Sequence, residues 1–68
     1  MVNIGEKIRR YRQKLGLTQE ELAARTELSK GFISQLERDL TSPSIATLTD
    51  ILEALGTNLS EFFTEARP

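Results

Sequence analysis

Leu17-Thr18-Gln19-Glu20-Glu21-Leu22-Ala23-Ala24-Arg25-Thr26-Glu27-Leu28-Ser29-Lys30-Gly31-Phe32-Ile33-Ser34-Gln35-Leu36-Glu37-Arg38 is the stretch on which the fold turns. Thr18 with Glu21 three residues on is a capping box, in which hydroxyl and carboxylate each satisfy an amide at a helix start. The helix it opens carries Leu22 and Ala23 on its inner face. Ser29 is a second N-cap and opens a helix running to about Arg38, so only a short turn around Glu27 and Leu28 separates the two. The apolar set Leu22, Ala23, Leu28, Ile33 and Leu36 lies on one shared side. Ala23 is the small residue that lets the helices cross closely, and Leu28 plugs the turn. Two short helices meeting steeply across such a turn form a helix-turn-helix.

Outward from this pair, the chain reads as three further helices. Asn3 with Glu6 caps the first, on which Ile4, Ile8, Tyr11 and Leu15 recur at helical spacing before Gly16 stops it. After Arg38 comes a turn-rich run, Asp39-Leu40-Thr41-Ser42-Pro43. Ser44 caps the fourth helix, with inner positions Ile45, Leu48, Ile51, Leu52 and Leu55 and a stop at Gly56. Asn58 and Glu61 form a third capping box for a short fifth helix bearing Leu59, Phe62 and Phe63. Nothing favours a strand. The expected fold is all-α, a compact five-helix bundle over residues 1–64, with residues 65–68 as a tail that resembles the start of a linker.

Composition narrows the chemistry. With 68 residues and neither cysteine nor histidine, the chain lacks a disulfide framework, a thiolate zinc site and the commonest general base. A bundle this small rarely encloses the roughly 300 Å³ of an enzymatic pocket, so no enzymatic activity, metal or cofactor is expected. Residues Met1 to Ile8 hold no continuous apolar stretch of the signal-peptide kind. No segment nears the ~20 apolar residues of a membrane span. A cytoplasmic protein with no membrane partner is the expectation. The net charge of −1 counts against nucleic acid as a bulk property. Its distribution does not: residues 1–39 hold eight Lys/Arg against six Asp/Glu, whereas residues 40–68 hold one against four. The basic part is the one that carries the helix pair.

Placed at about 100° per residue, Lys30, Ser34, Arg38, Gly31 and Gln35 share one arc of the third helix, and Phe32, Leu36 and Ile33 share the opposite one. That is the layout of a recognition helix, although an ordinary amphipathic surface helix has it too. The surrounding segments decide. Leu17-Thr18-Gln19-Glu20-Glu21-Leu22-Ala23, then Leu28-Ser29-Lys30-Gly31-Phe32-Ile33-Ser34-Gln35-Leu36-Glu37-Arg38, then Ser42-Pro43-Ser44-Ile45-Ala46-Thr47-Leu48 resemble, in order and spacing, the phage lambda-repressor-like (XRE) DNA-binding domains. The likeness covers essentially the whole chain. It is greatest to regulators in which such a domain precedes a small-molecule-sensing cupin barrel, which would make a C-terminal effector-binding domain the continuation of this sequence.

The resemblance implies sequence-specific binding of double-stranded DNA by a transcriptional regulator, with repression the expected mode, and with residues 30–38 in the major groove of a near-palindromic operator. It assigns base contact to Lys30, Gly31, Ser34 and Gln35, and backbone contact to Thr18, Gln19, Ser29, Phe32, Arg38, Thr41 and Ser42. Lys30 suits guanine O6 and N7, and Gln35 suits adenine N6 and N7; Gly31 has no side chain to read with. It also pairs Arg12 with Glu37 as a structural ion pair, while Lys7, Arg9, Arg10 and Lys14 are expected on a solvated face. A homodimer is implied, with Leu59, Phe62 and Phe63 of the fifth helix as its contact; the alternative for Leu59 and Phe62 is core closure, which leaves Phe63 as the exposed one. The alternative is a protein-interaction or antitoxin-type module whose helix-turn-helix is vestigial. Two departures stand out: the family commonly has glycine at the positions of Glu27 and Asp39. Glu27 is therefore expected either to alter its turn or to carry about 1 kcal/mol of strain.

Overall fold

The computed structural model describes residues 4–64, and within them the chain forms five helices: α1 (Ile4–Lys14), α2 (Gln19–Thr26), α3 (Lys30–Glu37), α4 (Ile45–Ala54) and α5 (Leu59–Thr64). No strand occurs among the described residues. The expected cap at Asn3 and the tail at 65–68 lie outside them. Thr18 makes both halves of its capping box. Ser29, Ser44 and Asn58 each accept from the amide three residues on, at 3.0, 3.1 and 2.9 Å. Glu61 is turned to the Thr57 hydroxyl, 3.2 Å away, so that box is only half made.

The helix ends share one device. At α1, α2, α3 and α4 a residue of positive φ turns the chain: Gly16 (71°), Glu27 (59°), Asp39 (58°) and Gly56 (77°). The amide just beyond each donates to the carbonyl five residues back: Leu17 to Arg12, Leu28 to Ala23, Leu40 to Gln35 and Thr57 to Leu52, at 2.9 to 3.1 Å. This is the Schellman closure, normally built on glycine. Glu27 adopts the left-handed conformation directly, at φ 59° and ψ 35°, so the turn is kept and the strain of a Cβ there is retained. Its inner hydrogen bond, to Ala24 O, is 3.4 Å, against 3.0 Å at the other three turns. α3 closes one residue earlier than expected, and Arg38 is its cap rather than its last turn.

Ile8, Leu22, Ile33, Leu36, Ile51, Leu52 and Phe62 are fully buried and form the centre of the core. Leu17, Ala23, Leu48 and Leu55 complete it, with Leu28, Phe32 and Leu59 packed against its edge. Two expected core positions are instead exposed: Leu15, which lies past the end of α1, and Ile45, the first residue of α4. Both sit at helix ends, where periodicity continues but no neighbour reaches.

α1 and α3 approach each other closely, backbone to backbone, at Gly5. A Cβ on Gly5 would fall 2.3 Å from Leu36 O and 2.7 Å from Glu37 O. The Asp39 carboxylate accepts from the Gly5 amide at 3.2 Å, so one residue both ends α3 and caps α1. Lys7 corrects an expectation. It is not on the solvated face but 7% exposed, because α5 folds over it. Its nitrogen lies 4.4 Å from the centroid of Phe62 and 5.8 Å from that of Phe63, with no hydrogen-bond partner. Phe62 also packs on Tyr11, centroids 5.6 Å apart.

Glu27→Gly should raise stability by about 1 kcal/mol by removing the left-handed penalty. Asp39→Gly should gain little or lose, because the same relief is offset by loss of the Gly5 cap. Thermal denaturation of both variants checks the pair; an equal response would reject the separate role of Asp39. Lys7→Met keeps the aliphatic bulk and removes a buried nitrogen without an acceptor, so its Tm should hold or rise. A fall beyond about 5 °C would mean that the cation–π contact outweighs the desolvation cost.

Candidate nucleic-acid interface

The surface that could meet DNA is built on a rigid tie beneath it. Arg12, from α1, donates from Nε to Glu37 Oε2 at 2.6 Å and from Nη2 to Glu37 Oε1 at 3.0 Å. Its Nη1 donates to Leu17 O at 2.8 Å, which fixes the chain at the entry to α2. Gln19, in the first turn of α2, donates from its amide to the same Glu37 Oε1 at 3.1 Å. Glu37 closes the last turn of α3, and its side chain is 3% exposed against 11% for Arg12. One fork therefore holds three helices at defined angles, with two parallel charge-assisted bonds setting the geometry.

Within the helix-turn-helix, Ala23 is buried at the crossing and Leu28 packs under the turn. Thr26 returns its hydroxyl to Leu22 O and Ala23 O at 2.9 and 3.2 Å, so it offers little outward. The buried side of α3 is Ile33, Leu36 and Glu37. Lys30, Gly31, Gln35 and Arg38 are exposed, with Phe32 and Ser34 half-buried. Residues four apart stack along a helix face, so Lys30–Ser34–Arg38 and Gly31–Gln35 make two adjacent rows on the outer side. Gln19 touches Glu37, so the start of α2 lies beside the end of α3. Thr18 and Arg38 therefore flank one end of the rows, and Ser29 flanks the other about 13 Å away by helical rise.

The helix N-termini are not alike. α1 carries Glu6 in its first turn, α2 carries Glu20 and Glu21, and α5 carries Glu61. α3 and α4 carry no acid there, so their positive dipole ends remain available to an anion. These are the ends preceded by Ser29 and by the loop holding Thr41, half-buried, and Ser42, exposed. Thr18 is less open than its position suggested. Its amide and hydroxyl oxygen are both engaged by Glu21, at 2.8 and 3.0 Å, leaving only the hydroxyl proton to give.

The basic surface is also smaller than the sequence count. Arg12 is spent on Glu37 and Lys7 is buried, which leaves Arg9, Arg10, Lys14, Arg25, Lys30 and Arg38 exposed on residues 4–39. Arg10 lies 3.9 Å from Glu6 across one turn of α1. Sequence reasoning missed Gly5 and the Gly5–Asp39 bond. A glycine inside the helical pattern at Gly5 was the available signal, since such a residue often marks a close packing contact.

The helix-turn-helix family HTH_3 matches residues 8–62. HTH-type transcriptional regulator PuuR of Escherichia coli is 41% identical over 61 residues, covering 90% of this chain and 33% of PuuR, so the chain spans a third of that relative's length. Among solved structures, the clp gene regulator ClgR from Corynebacterium glutamicum superposes with a TM-score of 0.88 at 33% identity, over 94% of this chain and 68% of that one. SinR, a master regulator for biofilm formation solved in complex with DNA, gives 0.80 at 33% identity, over 88% of this chain and 97% of that one.

Arg12→Ala would strip the guanidinium from Leu17 O and from the Glu37 carboxylate, which would keep only the Gln19 amide in a nearly closed site. The domain should lose about 3 kcal/mol of stability. An unchanged melting temperature would reject the fork as a structural tie.

Proposed function

Because the chain belongs to the HTH_3 helix-turn-helix family, we propose that it is the DNA-reading domain of a transcriptional regulator, a repressor that occupies its operator with α3 in the major groove. The observation that carries this reading is the pair of outer rows on α3, held in place from beneath by the Arg12–Glu37–Gln19 tie. Lys30 and Gln35 offer side chains of the right reach for guanine and adenine edges, with Ser34 between them. Arg38, Thr18, Gln19 and Ser29, with Thr41 and Ser42 in the following loop, stand around the rows where phosphates would run. Phe32 keeps part of its ring at the surface, beside a sugar or backbone edge. Acid-free first turns at α3 and α4 favour the same approach.

A recognition surface of two polar readers is small, so specificity is drawn from two copies on a near-palindrome, their α3 helices about 34 Å apart along the DNA. α5 supplies the contact between copies through Phe63, which is 38% exposed, and the edge of Leu59. Phe62 is fully buried and closes the core, so it takes no part in that contact. Among the described residues no helix is long and apolar enough to cross a membrane, in keeping with a protein that works on DNA in the cytoplasm.

In-vitro selection from random duplexes should return a half-site and its spacing. Affinity for that site should fall linearly with salt on logarithmic axes, as bound phosphates release their counterions. Enrichment of no sequence would overturn the reading.

A further inference from the structure

The four glycines are not equivalent. Gly16 and Gly56 hold φ of 71° and 77°, where a side chain is strained. Gly5 sits where a Cβ would enter the α3 backbone. Gly31 has neither reason. It lies in the first turn of α3 without a positive φ, is exposed, and a Cβ built on it would meet only Ser29 Oγ, at 4.0 Å. Glycine weakens a helix relative to alanine, so the fold would be better served by a side chain at this position. The reason for its absence lies on the outer face.

There, Gly31 is a recess. Its floor is the backbone of the first turn, and Lys30, Ser34 and Gln35 stand around it as sequence and i+3, i+4 neighbours. A Cβ built at residue 31 would meet only Ser29 Oγ, so the gap is open above the backbone, and the Gly31 Cα that floors it is apolar. A small apolar knob fits against this apolar floor, since residue 31 itself offers no side chain to pair with a polar base edge. The major groove offers one such knob, the 5-methyl group of thymine.

Resting on the DNA-reading role above, we propose that Gly31 is a specificity-determining residue whose missing side chain admits a thymine 5-methyl group, so that Lys30 and Gln35 flank a thymine read by shape. Reading by steric fit replaces the hydrogen bond that a longer residue would make. It also brings the first turn of α3, with its unneutralised positive end, closer to the base pairs than a side chain at residue 31 would permit.

The test uses the whole chain and its selected operator. Thymines in the half-site are replaced singly by deoxyuridine, which removes the methyl and preserves pairing. Wild type should lose about fourfold in affinity at one position, the worth of one buried methyl. Gly31→Ala should raise Tm by about 2–5 °C, bind the thymine operator about tenfold more weakly, and regain affinity when that same thymine becomes deoxyuridine. Such a sign reversal is a coupling that a general loss of binding does not produce. Three outcomes overturn the inference alone: no methyl dependence at any thymine, equal loss by Gly31→Ala on both DNAs, or a lowered Tm. A wild-type chain that enriches no sequence overturns it together with the DNA-reading role.

Discussion

The Arg12–Glu37 fork is the constraint on which the rest of the arrangement depends. It joins the end of α1 to the end of α3, and through Leu17 O and Gln19 it also fixes where α2 begins. A helix-turn-helix needs its two helices held at one angle, and apolar packing around Ala23 and Leu28 is one contribution to it. Directional bonds inside a nearly closed site make it discrete. The same fork leaves the outer side of α3 unburdened, because the structural acid points inward while Lys30, Gln35 and Arg38 point out. Stability and presentation are therefore served by opposite sides of one eight-residue helix.

Electrostatics divides the molecule similarly. Acids occupy the first turns of α1, α2 and α5 and are absent from α3 and α4. The net charge of the chain, −1, is thus a poor guide to what the interface presents. Once Lys7 is buried and Arg12 is neutralised, the basic excess on the first half is slight. Attraction to DNA then rests on where the remaining cations and helix ends stand, and steering at a distance contributes little.

Much of this was legible in the residues. Caps at Thr18, Ser29, Ser44 and Asn58, and stops at Gly16 and Gly56, are local chemistry, decided within a few residues, so their places could be read directly. The left-handed turns at Glu27 and Asp39 could be suspected only because other sequences of this pattern place glycine there. What was not legible depends on chain segments far apart. Lys7 is polar by composition and lies at the edge of the apolar face of α1; only the docking of α5 covers it. Gly5 looks like a weak helix residue until the α3 carbonyls are brought against it. Ile45 continues a helical period but has no neighbour. Phe62 and Phe63 are chemically alike, and the docking of α5 on α4 and on Lys7 and Tyr11 of α1 decides which is core and which is surface. At the interface, exposure could be inferred from the wheel, whereas the engagement of Thr18 by Glu21 limits a contact that its position alone would allow.

The repeated Schellman closures bear on how the chain finds its structure. Four helix boundaries are set by bonds spanning five residues, so they need no distant partner to form. The tie that assembles the helices spans 25 residues from Arg12 to Glu37, a short loop to close in entropic terms. Such dominance of local contacts is characteristic of helical domains that fold in microseconds to milliseconds. A domain with boundaries closed this locally is expected to regain its shape quickly after it opens.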